Sequence, residues 1–369
     1  MSRFLFCSYQ RVTRKQLVVT ILTSVVLFNE WLTYAASSLS WPSLHTPSDE
    51  HVRVLFAADP QILSLLSDSE PIFPLSLITI WDADRFVSRG FQMALWKTKP
   101  DIVVFLGDLL NDGSIVNDND FNATLGHFKN LLSVPNYVKH TIFLPGDNDI
   151  GGEGNDLVTP HKINRFYAFL NQSMTLQYKF IDFIQMRVMD DFTFPDNKLP
   201  PEEGRVRILL SHMPLLTRTR ERVKQKIIKQ QPSFIFSGHE HESFHFTGMK
   251  EEGHAQDFQV LKDNQRVWHF ESAGTLLHEI VVPTCSYRMG QVDAGYGAAV
   301  IEKSGGITYT VLWLPSRFEQ LWLYVGFLVL LIVIMILPGI LCLTRFFIYR
   351  PVKFCALIFL RVLRILKRS

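Results

Sequence analysis

The stretch FLPGDNDIGGEG, residues 143–154, decides how the rest of the chain is interpreted. An apolar strand ends at Leu144 and, after a Pro-Gly turn, Asp147, Asn148 and Asp149 follow on consecutive positions. Two adjacent glycines come next, and glycine permits positive φ angles and a close approach of the backbone to a ligand. Oxygen ligands crowded at a strand end indicate a cation site, provided that other segments supply further ligands.

The same arrangement recurs along the chain, because four further apolar strands also end in side chains that can bind metal. The residues that follow the five strands are, in chain order, Asp59 and Gln61, Asp108, Asp147, His212, and His239 with His241. Continuous apolar runs are typical of strands buried on both faces, and the segments 84–98 and 164–171 have helical length and periodicity. The sequence therefore predicts a layered α/β fold with its site at the carboxyl ends of the strands.

Aspartate and histidine without cysteine suit a pair of hard or borderline divalent cations. Taken singly, each motif has a structural explanation: Asp108 fits a plain turn, His212 a buried histidine bonded to the backbone, and Asp59 a helix N-cap. His239 and His241 are harder to explain in that way, because alternate residues at a strand end can present both imidazoles to one metal cluster. The ordered set, each member after a strand, favours the metal site.

The two ends of the 369-residue chain hold apolar sequence beyond what one core needs. Residues 16–36 follow a basic head and fit either a cleaved signal peptide or an uncleaved membrane anchor. We favour the anchor, because the run is long and contains Asn29, Glu30 and Trp31. Residues 322–343 contain no charge and are long enough to cross a bilayer.

Basic residues flank both apolar segments on their outer sides, which places both termini in the cytosol. The predicted layout is a cytosolic head (1–15), a transmembrane signal anchor (16–36), a lumenal domain with a stalk (37–320), a second transmembrane helix (321–344) and a basic cytosolic tail (345–369). The end of the tail fits an interfacial amphipathic segment and a solvated basic tail equally well.

Smaller signals agree with a lumenal domain. Asn122 and Asn171 begin glycosylation sequons, and Cys285 is the only cysteine of the domain, so no disulfide forms within it. The formal net charge of +2 comes from the basic ends of the chain, so no nucleic-acid partner is expected.

In their order, the strand-end residues resemble the pattern D-x-H, G-D, G-N-H-D/E, H, G-H-x-H of the calcineurin-like metallophosphoesterase superfamily. The resemblance covers roughly residues 52–300. With apolar segments at both ends, the chain is similar to the GPI-remodelling branch, the group of metallophosphoesterase 1 (post-GPI attachment to proteins factor 5) and the cell division control protein 1-like proteins. That resemblance implies a metallophosphoesterase sandwich, β-sheets flanked by helices, between two transmembrane helices.

The branch also implies an activity, which is the removal of ethanolamine phosphate from a mannose of GPI anchors in the early secretory pathway. The implied cofactors are two divalent metal ions, with Mn²⁺ expected. The implied partners are the GPI glycan of the substrate, membrane lipid and cargo-export machinery, and the implied location is the endoplasmic reticulum or Golgi membrane, as a multi-pass protein with a lumenal catalytic domain.

The resemblance carries metal roles over position by position. It assigns the first metal to Asp59, Gln61 and His241, the bridging position to Asp108, and the second metal to Asp147, His212 and His239. Gln61 stands where the superfamily usually has a histidine, and its neutral amide oxygen is a weaker ligand. Arg288 is a candidate phosphate clamp because of its fork of donors, although an arginine there also fits a surface ion pair.

Asn148 departs most from the family pattern. It occupies the position of a histidine that donates a proton or steadies a phosphate oxygen, and an amide cannot protonate a leaving group. Three interpretations stay open: a shifted register in which Asn148 binds metal and Asp147 or Asp149 takes another role, a different proton donor, or impaired catalysis. We predict an active enzyme in which Asn148 and Asp149 are the catalytic residues beside the metals.

Two other functions compete with this prediction. A non-catalytic membrane protein with the same fold would bind GPI-anchored cargo for export, and Gln61 and Asn148 favour it. A phosphatase for a soluble nucleotide or phosphoprotein is the second, but a membrane anchor helps most when the substrate is also bound to the membrane.

Overall fold

The computed structural model describes residues 13–344 except 47, 65–73, 171, 188–201, 203, 219, 263–266 and 273, together with residues 356, 357, 360 and 364. The sequon asparagine Asn171 and most of the predicted basic tail therefore lie outside the described residues. The chain divides into two compact units. One comprises Met1–Val25 and Arg317–Ser369, and the other comprises Val26–Ser316.

The described residues form thirteen strands and eight α-helices. The strands are β1 (His51–Ala57), β2 (Ile102–Phe105), β3 (His140–Phe143), β4 (Thr175–Tyr178), β5 (Ile181–Met186), β6 (Val206–Ser211), β7 (Phe234–Ser237), β8 (Phe244–Met249), β9 (Ala255–Val260), β10 (Trp268–Glu271), β11 (Leu276–Val281), β12 (Gly295–Glu302) and β13 (Gly306–Trp313). The helices are α1 (Arg14–Leu27), α2 (Thr33–Ser40), α3 (Leu75–Thr98), α4 (Asp118–Leu131), α5 (Asp147–Ile150), α6 (Pro160–Leu170), α7 (Glu221–Gln230) and α8 (Arg317–Thr344). A π-helical turn, Phe28–Leu32, joins α1 to α2.

Two mixed sheets form the second unit, the first with the strand order β10-β13-β12-β1-β2-β3 and the other with β4-β5-β6-β7-β11-β8-β9. In the first sheet β1, β2 and β3 run parallel, and in the other β5, β6, β7 and β11 do so. The strands β2, β5, β6 and β7 are buried at every position, as their continuous apolar runs predict.

The inner faces of the two sheets share one apolar core. Phe56 of β1 stacks on Phe236 of β7 with ring centroids 4.1 Å apart, which joins the sheets at the centre. Helices cover the outer faces: Phe91 of α3 and Phe128 of α4 pack on Phe105 of β2. On the other side, α7 packs through a second apolar cluster on β6 and β7. The result is the predicted sandwich of sheets flanked by helices.

Two helical stretches are long and apolar enough to cross a membrane, Lys15–Ser40 with a mean hydropathy of 1.5 and Arg317–Leu337 with 2.6. The predicted spans, 16–36 and 321–344, overlap both stretches. The division at Val25 places the end of the first stretch, from Val26 onward, in the same compact unit as the sheets. The exact boundaries of the membrane segments stay predictions.

Candidate metal centre

Parallel strands deliver their carboxyl ends to one edge of the sandwich, and the predicted ligands meet there. Asp147, the first residue of α5 after β3, has its Oδ1 atom 2.9 Å from Nε2 of His212 and 3.1 Å from Nδ1 of His239. Two ligand atoms that each lie about 2.1 Å from one ion stand about 3 to 4 Å apart. These three residues therefore form one group that can hold a metal ion.

A second group adjoins the first and consists of Asp59, Asp108 and His212. Oδ1 of Asp108 lies 3.4 Å from Nε2 of His212, and Oδ1 of Asp59 lies 3.9 Å from Nδ1 of His212. Nε2 of His241 is 4.0 Å from Oδ1 of Asp59. The two groups share His212, so together they form one continuous cluster of candidate metal ligands.

Three buried polar atoms at this site lack a hydrogen-bond partner in the described part of the chain: Oδ1 of Asp59, Oε1 of Gln61 and Nε2 of His241. A buried polar atom without a partner is costly, so native proteins usually satisfy it with a hydrogen bond or a metal. All three belong to the predicted first metal site. Their chemistry, one carboxylate, one amide oxygen and one imidazole nitrogen, fits a divalent cation.

The backbone is strained at the same places. Of the eight non-glycine residues with positive φ in the described chain, five are predicted ligands: Asp59, Gln61, Asp108, His239 and His241. Such conformations cost about 1 to 3 kcal/mol each and cluster at functional sites, where the surrounding structure enforces them. The strain turns each side chain from the strand end into the common centre.

Two glycines allow the strand-end loops to approach closely. A Cβ atom on Gly146 would collide with the carboxylate of Asp108. Gly107 has a φ of +103°, and a Cβ atom there would lie 2.5 Å from Nδ1 of His212. Glycine is therefore required at both positions for Asp108 and His212 to reach one another.

His212 is oriented by the backbone. Its Nδ1 atom lies 2.8 Å from the carbonyl oxygen of Leu106, to which it donates when protonated, so Nε2 faces the carboxylates. Burial lowers the pKa of His212, but the charge of Asp108 and the hydrogen bond with Asp147 raise it to about 10. The carboxylates therefore favour positive charge at this point, which is the requirement that a bound cation meets.

The carboxylates themselves crowd one another. Burial raises the pKa of Asp108 well above its ordinary value, and the charges of Asp147 and Asp59 raise it further. Burial also opposes ionisation of Asp147, but hydrogen bonds from His212 and His239 outweigh it and hold its pKa below the ordinary value. Divalent cations would relieve the repulsion between these carboxylates.

Asn148 lies at the centre and forms its hydrogen bonds with Asp108, one of the predicted ligands. Its backbone N–H donates to Oδ1 of Asp108 at 3.0 Å, and its Nδ2 atom donates to Oδ2 of Asp108 at 2.9 Å. Asp147, not Asn148, faces His212 and His239. This geometry agrees with the unshifted register, in which Asp147 takes the ligand position and Asn148 steadies Asp108.

Asp149 is fully buried, and backbone donors occupy both of its oxygens. The carboxylate accepts hydrogen bonds from the N–H groups of Gly146 at 2.8 Å, Leu110 at 3.0 Å and Leu109 at 3.1 Å. Burial raises its pKa to about 6, even though these bonds act in the opposite direction. The contacts make Asp149 an anchor between the loops after β2 and β3, while its predicted catalytic role stays a prediction.

Glu279 of β11 is a second buried carboxylate that binds loop residues, and the sequence motifs did not predict a role for it in the site. Its carboxylate accepts from the N–H groups of Leu215 and Leu216, both at 2.7 Å, and from the hydroxyl of Ser237 at 2.8 Å. It thereby holds the loop that follows His212. The available signal was a glutamate that follows His278 in a strand whose other residues are all apolar.

Three further residues lie near the centre or on the domain surface. Glu153 shares a hydrogen bond with Asp147, which, together with the charge of Asp147, raises the pKa of Glu153. Arg288 follows a turn that Thr284 ties to the carbonyl oxygen of Asp59 at 3.0 Å, and its predicted phosphate-clamp role stays a prediction. Asn122 is exposed on α4, and its glycosylation also stays a prediction.

The cluster of candidate metal ligands suits a metal-dependent hydrolase, and comparison with known families gives its class. The family model of the calcineurin-like phosphoesterases matches residues 52–243, which are more than half of the chain. The chain belongs to the calcineurin-like phosphoesterase family. The predicted superfamily, fold class and enzyme class are thereby confirmed.

The curated relatives are more distant. Metallophosphoesterase 1 of Pongo abelii is 24% identical over 179 residues, which are 46% of this chain and 43% of the relative. Metallophosphoesterase 1 of Danio rerio is 29% identical over 163 residues, 42% and 40% of the two chains. The Drosophila melanogaster homolog is 28% identical over 153 residues, 40% and 39%. The match thus spans less than half the length of these relatives.

Two solved structures give weak superpositions on this chain. PhoD superposes with a TM-score of 0.41 and 9% identity, over 71% of this chain and 65% of that one. GAP50, the anchor in the inner membrane complex of Plasmodium, superposes with a TM-score of 0.37 and 10% identity, over 75% and 95% of the two chains.

Proposed function

We propose that the protein is a dinuclear-metal phosphodiesterase that removes ethanolamine phosphate from a mannose of GPI anchors. The observation that carries the proposal is the pair of adjoining ligand groups, Asp147-His212-His239 and Asp59-Asp108-His212. A centre of this kind binds two ions a few ångström apart, which is the arrangement that suits phosphoester hydrolysis.

The residues of this chain have separate tasks in the proposed reaction. When bound, two divalent ions activate a water molecule and neutralise charge on the phosphoryl group. His212 presents Nε2 because Leu106 fixes its other nitrogen, and Asn148 holds both oxygens of Asp108 in place. The amide of Asn148 cannot supply a proton to a sugar alkoxide, so the leaving group takes its proton from another donor or from solvent.

The proposed location and substrate rest on the two candidate membrane helices and on the branch that the sequence resembles. Tethering raises the effective concentration of an enzyme toward a substrate in the same membrane, and a GPI anchor is such a substrate. We therefore assign the protein to the endoplasmic reticulum or Golgi membrane, with the metal centre lumenal, Mn²⁺ as its metal and cargo-export machinery as a partner.

A second candidate is a membrane protein that binds GPI-anchored cargo without hydrolysis. Gln61 favours it, because a neutral amide oxygen in place of a histidine weakens the first metal site. Asn148 favours it too, because it replaces a family proton donor with a residue that cannot act as an acid.

One experiment on the full-length protein in detergent separates the two. Bound metal is measured after loading with Mn²⁺, and hydrolysis of bis-(p-nitrophenyl) phosphate is followed. Two ions per chain and metal-dependent turnover support the enzyme, whereas a metal-free and inactive chain leaves only the binding role. The GPI-glycan mass profile of cells that lack the protein then tests the substrate, since the enzyme predicts retained ethanolamine phosphate on one mannose.

A further inference from the structure

A buried charge cluster ties α3 to the first apolar helical stretch, Lys15–Ser40. The side chain of Glu30, whose residue is only 3% exposed, receives both terminal nitrogens of Arg85 at 2.9 Å and Nη1 of Arg89 at 3.1 Å. A carboxylate in an apolar stretch is expensive unless it is paired. The end of this stretch is therefore held against α3 by compensating charge.

The π-helical turn at Phe28–Leu32 has both buried and exposed side chains at this contact. Asn29 and Glu30 point into the protein, whereas Trp31 and Leu32 are exposed. Short π-helical turns inside longer helices occur frequently at functional sites. Here the turn leaves an indole ring on the surface beside α3.

The outer face of α3 is apolar toward both of its ends and carries the polar residues Asp84, Ser88 and Gln92, with two arginines, between them. Ile78, Trp81 and Trp96 are 58%, 60% and 70% exposed and recur at helical spacing. Between them, the guanidinium of Arg85 stacks on the ring of Trp81 at 4.3 Å, and that of Arg89 lies 5.0 Å from the ring of Trp31. Soluble surfaces rarely group three exposed tryptophans in this way.

The three tryptophans line one open groove with a volume of about 640 Å³, and Met93 and Leu131 form part of its apolar wall. Tryptophan is enriched where a protein meets the polar boundary of a bilayer, and arginine there buries its stem while its head stays at the headgroup level. The groove therefore has the composition of a membrane-surface site.

We propose that the outer face of α3, with Trp31, lies on the membrane and that the groove between Trp31, Trp81 and Trp96 takes a bilayer phospholipid. The continuous chain favours this occupant over a second copy of the protein, because Trp31 belongs to the same helical stretch as the exposed apolar residues before it. The compensated charges of Arg85 and Arg89 also suit the boundary between headgroups and acyl chains.

The position of α3 relates the proposed membrane contact to the metal centre. The helix crosses from β1 to the parallel strand β2, so its first turns lie at the edge of the sheet where Asp59 and Asp108 stand. Asp82 of α3 also accepts a hydrogen bond at 2.8 Å from Tyr287, which lies in the loop beside that edge. A membrane-bound α3 thus brings the metal centre toward the lipid surface, whatever reaction the centre performs.

Photo-crosslinking of the full-length protein in phosphatidylcholine-phosphatidylglycerol vesicles tests the proposal without any activity assay. The photoreactive residue p-benzoylphenylalanine replaces Trp81 or Trp96 one at a time, and adducts are identified by mass. Val19, an exposed residue of the first apolar stretch, is the bilayer reference, and Phe258, 61% exposed on the edge strand β9, is the matched control. We expect one-phospholipid adducts at positions 81 and 96 with yields near that of position 19.

Lipid adducts at positions 81 and 96 that do not exceed those at position 258 would overturn the proposal. Adducts that join two chains would overturn it too, because they would assign the groove to a second copy. Charge insertion adds an independent reading: Ile78→Glu should reduce the lipid adduct at position 96, whereas Ile115→Glu, at another exposed isoleucine, should leave it unchanged. Equal yields for the two variants would contradict a lipid-facing α3.

Discussion

Two kinds of buried carboxylate meet at the rim of the sandwich and differ in their partners. The anchors, Asp149 and Glu279, each accept three hydrogen bonds, almost all from backbone N–H groups of neighbouring loops. The predicted ligands Asp59 and Asp108 each accept only one backbone N–H, and they otherwise face imidazoles and other carboxylates. Oδ1 of Asp59 has no hydrogen-bond partner in the described chain. Burial raises the pKa of Asp59 and Asp149 alike.

Burial alone therefore does not distinguish a catalytic carboxylate from a structural one. Backbone donors satisfy the anchors with no further component, whereas Asp59 and Asp108 need a cation to balance their charge. Asp149, in α5 after β3, and Glu279, in β11, are the anchors that hold the loops with the predicted ligands. Substitutions of the predicted ligands should therefore reduce metal binding directly, whereas substitutions of the anchors should first affect stability.

Removal of the shared ligand should have the largest effect. Asp108→Ala is expected to abolish binding of both metal ions and with it all metal-dependent hydrolysis, because Asp108 is the predicted bridge. Metal content per chain and turnover of bis-(p-nitrophenyl) phosphate measure this. Asp257→Ala, at an exposed carboxylate on β9, is the control and should keep both metals. A variant at position 108 that retains one tightly bound ion would show that Asp108 does not bridge.

Asn148→His should change turnover next most strongly, because it restores a group that can donate a proton. We expect hydrolysis of an alkyl phosphodiester to rise by up to about a hundredfold, the lower range of what a positioned general acid supplies. Bis-(p-nitrophenyl) phosphate, whose leaving group needs no proton, serves as the internal control and should change little. An equal change for both substrates would mean that position 148 acts through Asp108 and not as an acid.

Asp149→Asn should weaken the centre indirectly. The new amide group would face a backbone N–H, so the free energy of unfolding should fall by about 1 to 3 kcal/mol. Metal affinity should fall by about tenfold to a hundredfold, as expected for a residue that positions ligands. Urea unfolding and metal titration measure both quantities. Lost turnover with unchanged stability and metal affinity would instead support the predicted catalytic role.

Glu279→Gln should leave the metal count unchanged and alter the pH dependence of stability. Burial raises the pKa of Glu279 from 4.5 to about 7, so the folded protein holds this proton more tightly than the unfolded chain does. The stability that this proton contributes is present below about pH 4.5 and is lost as the pH rises through about 7. Relative to the variant, the wild-type protein should lose about 3 kcal/mol across that window, at about 1.4 kcal/mol per unit. If the free energy of unfolding changed by the same amount between pH 5 and pH 8 in the wild-type protein and in the variant, this role of Glu279 would be contradicted.

The sequence predicted which loops converge, because each ligand follows a strand whose apolar run marks it as buried and parallel. It did not predict how the loops are held. Asp149 was predicted to be catalytic from its place in the motif, and only the folded structure shows its bonds to Leu109 and Leu110, forty residues earlier in the chain. Such contacts depend on the register between strands, which no local pattern specifies.

The contacts of the first apolar helical stretch could not be predicted from the sequence either. The charge of Glu30 within an apolar stretch was visible in the sequence as an irregularity, but its partners Arg85 and Arg89 lie more than fifty residues away. Positive φ angles at Asp59 and His239 could not be predicted either, since aspartate and histidine adopt that conformation more often than most residues but still in only a small minority of cases.

The paired metal centre is tested most directly by electron paramagnetic resonance of the Mn²⁺-loaded full-length protein. Two ions that share a bridging carboxylate couple their spins, so we expect the spectrum of an exchange-coupled pair in the wild-type protein and its disappearance in Asp108→Ala. A wild-type spectrum of isolated Mn²⁺ ions alone, at full metal loading, would contradict the paired centre.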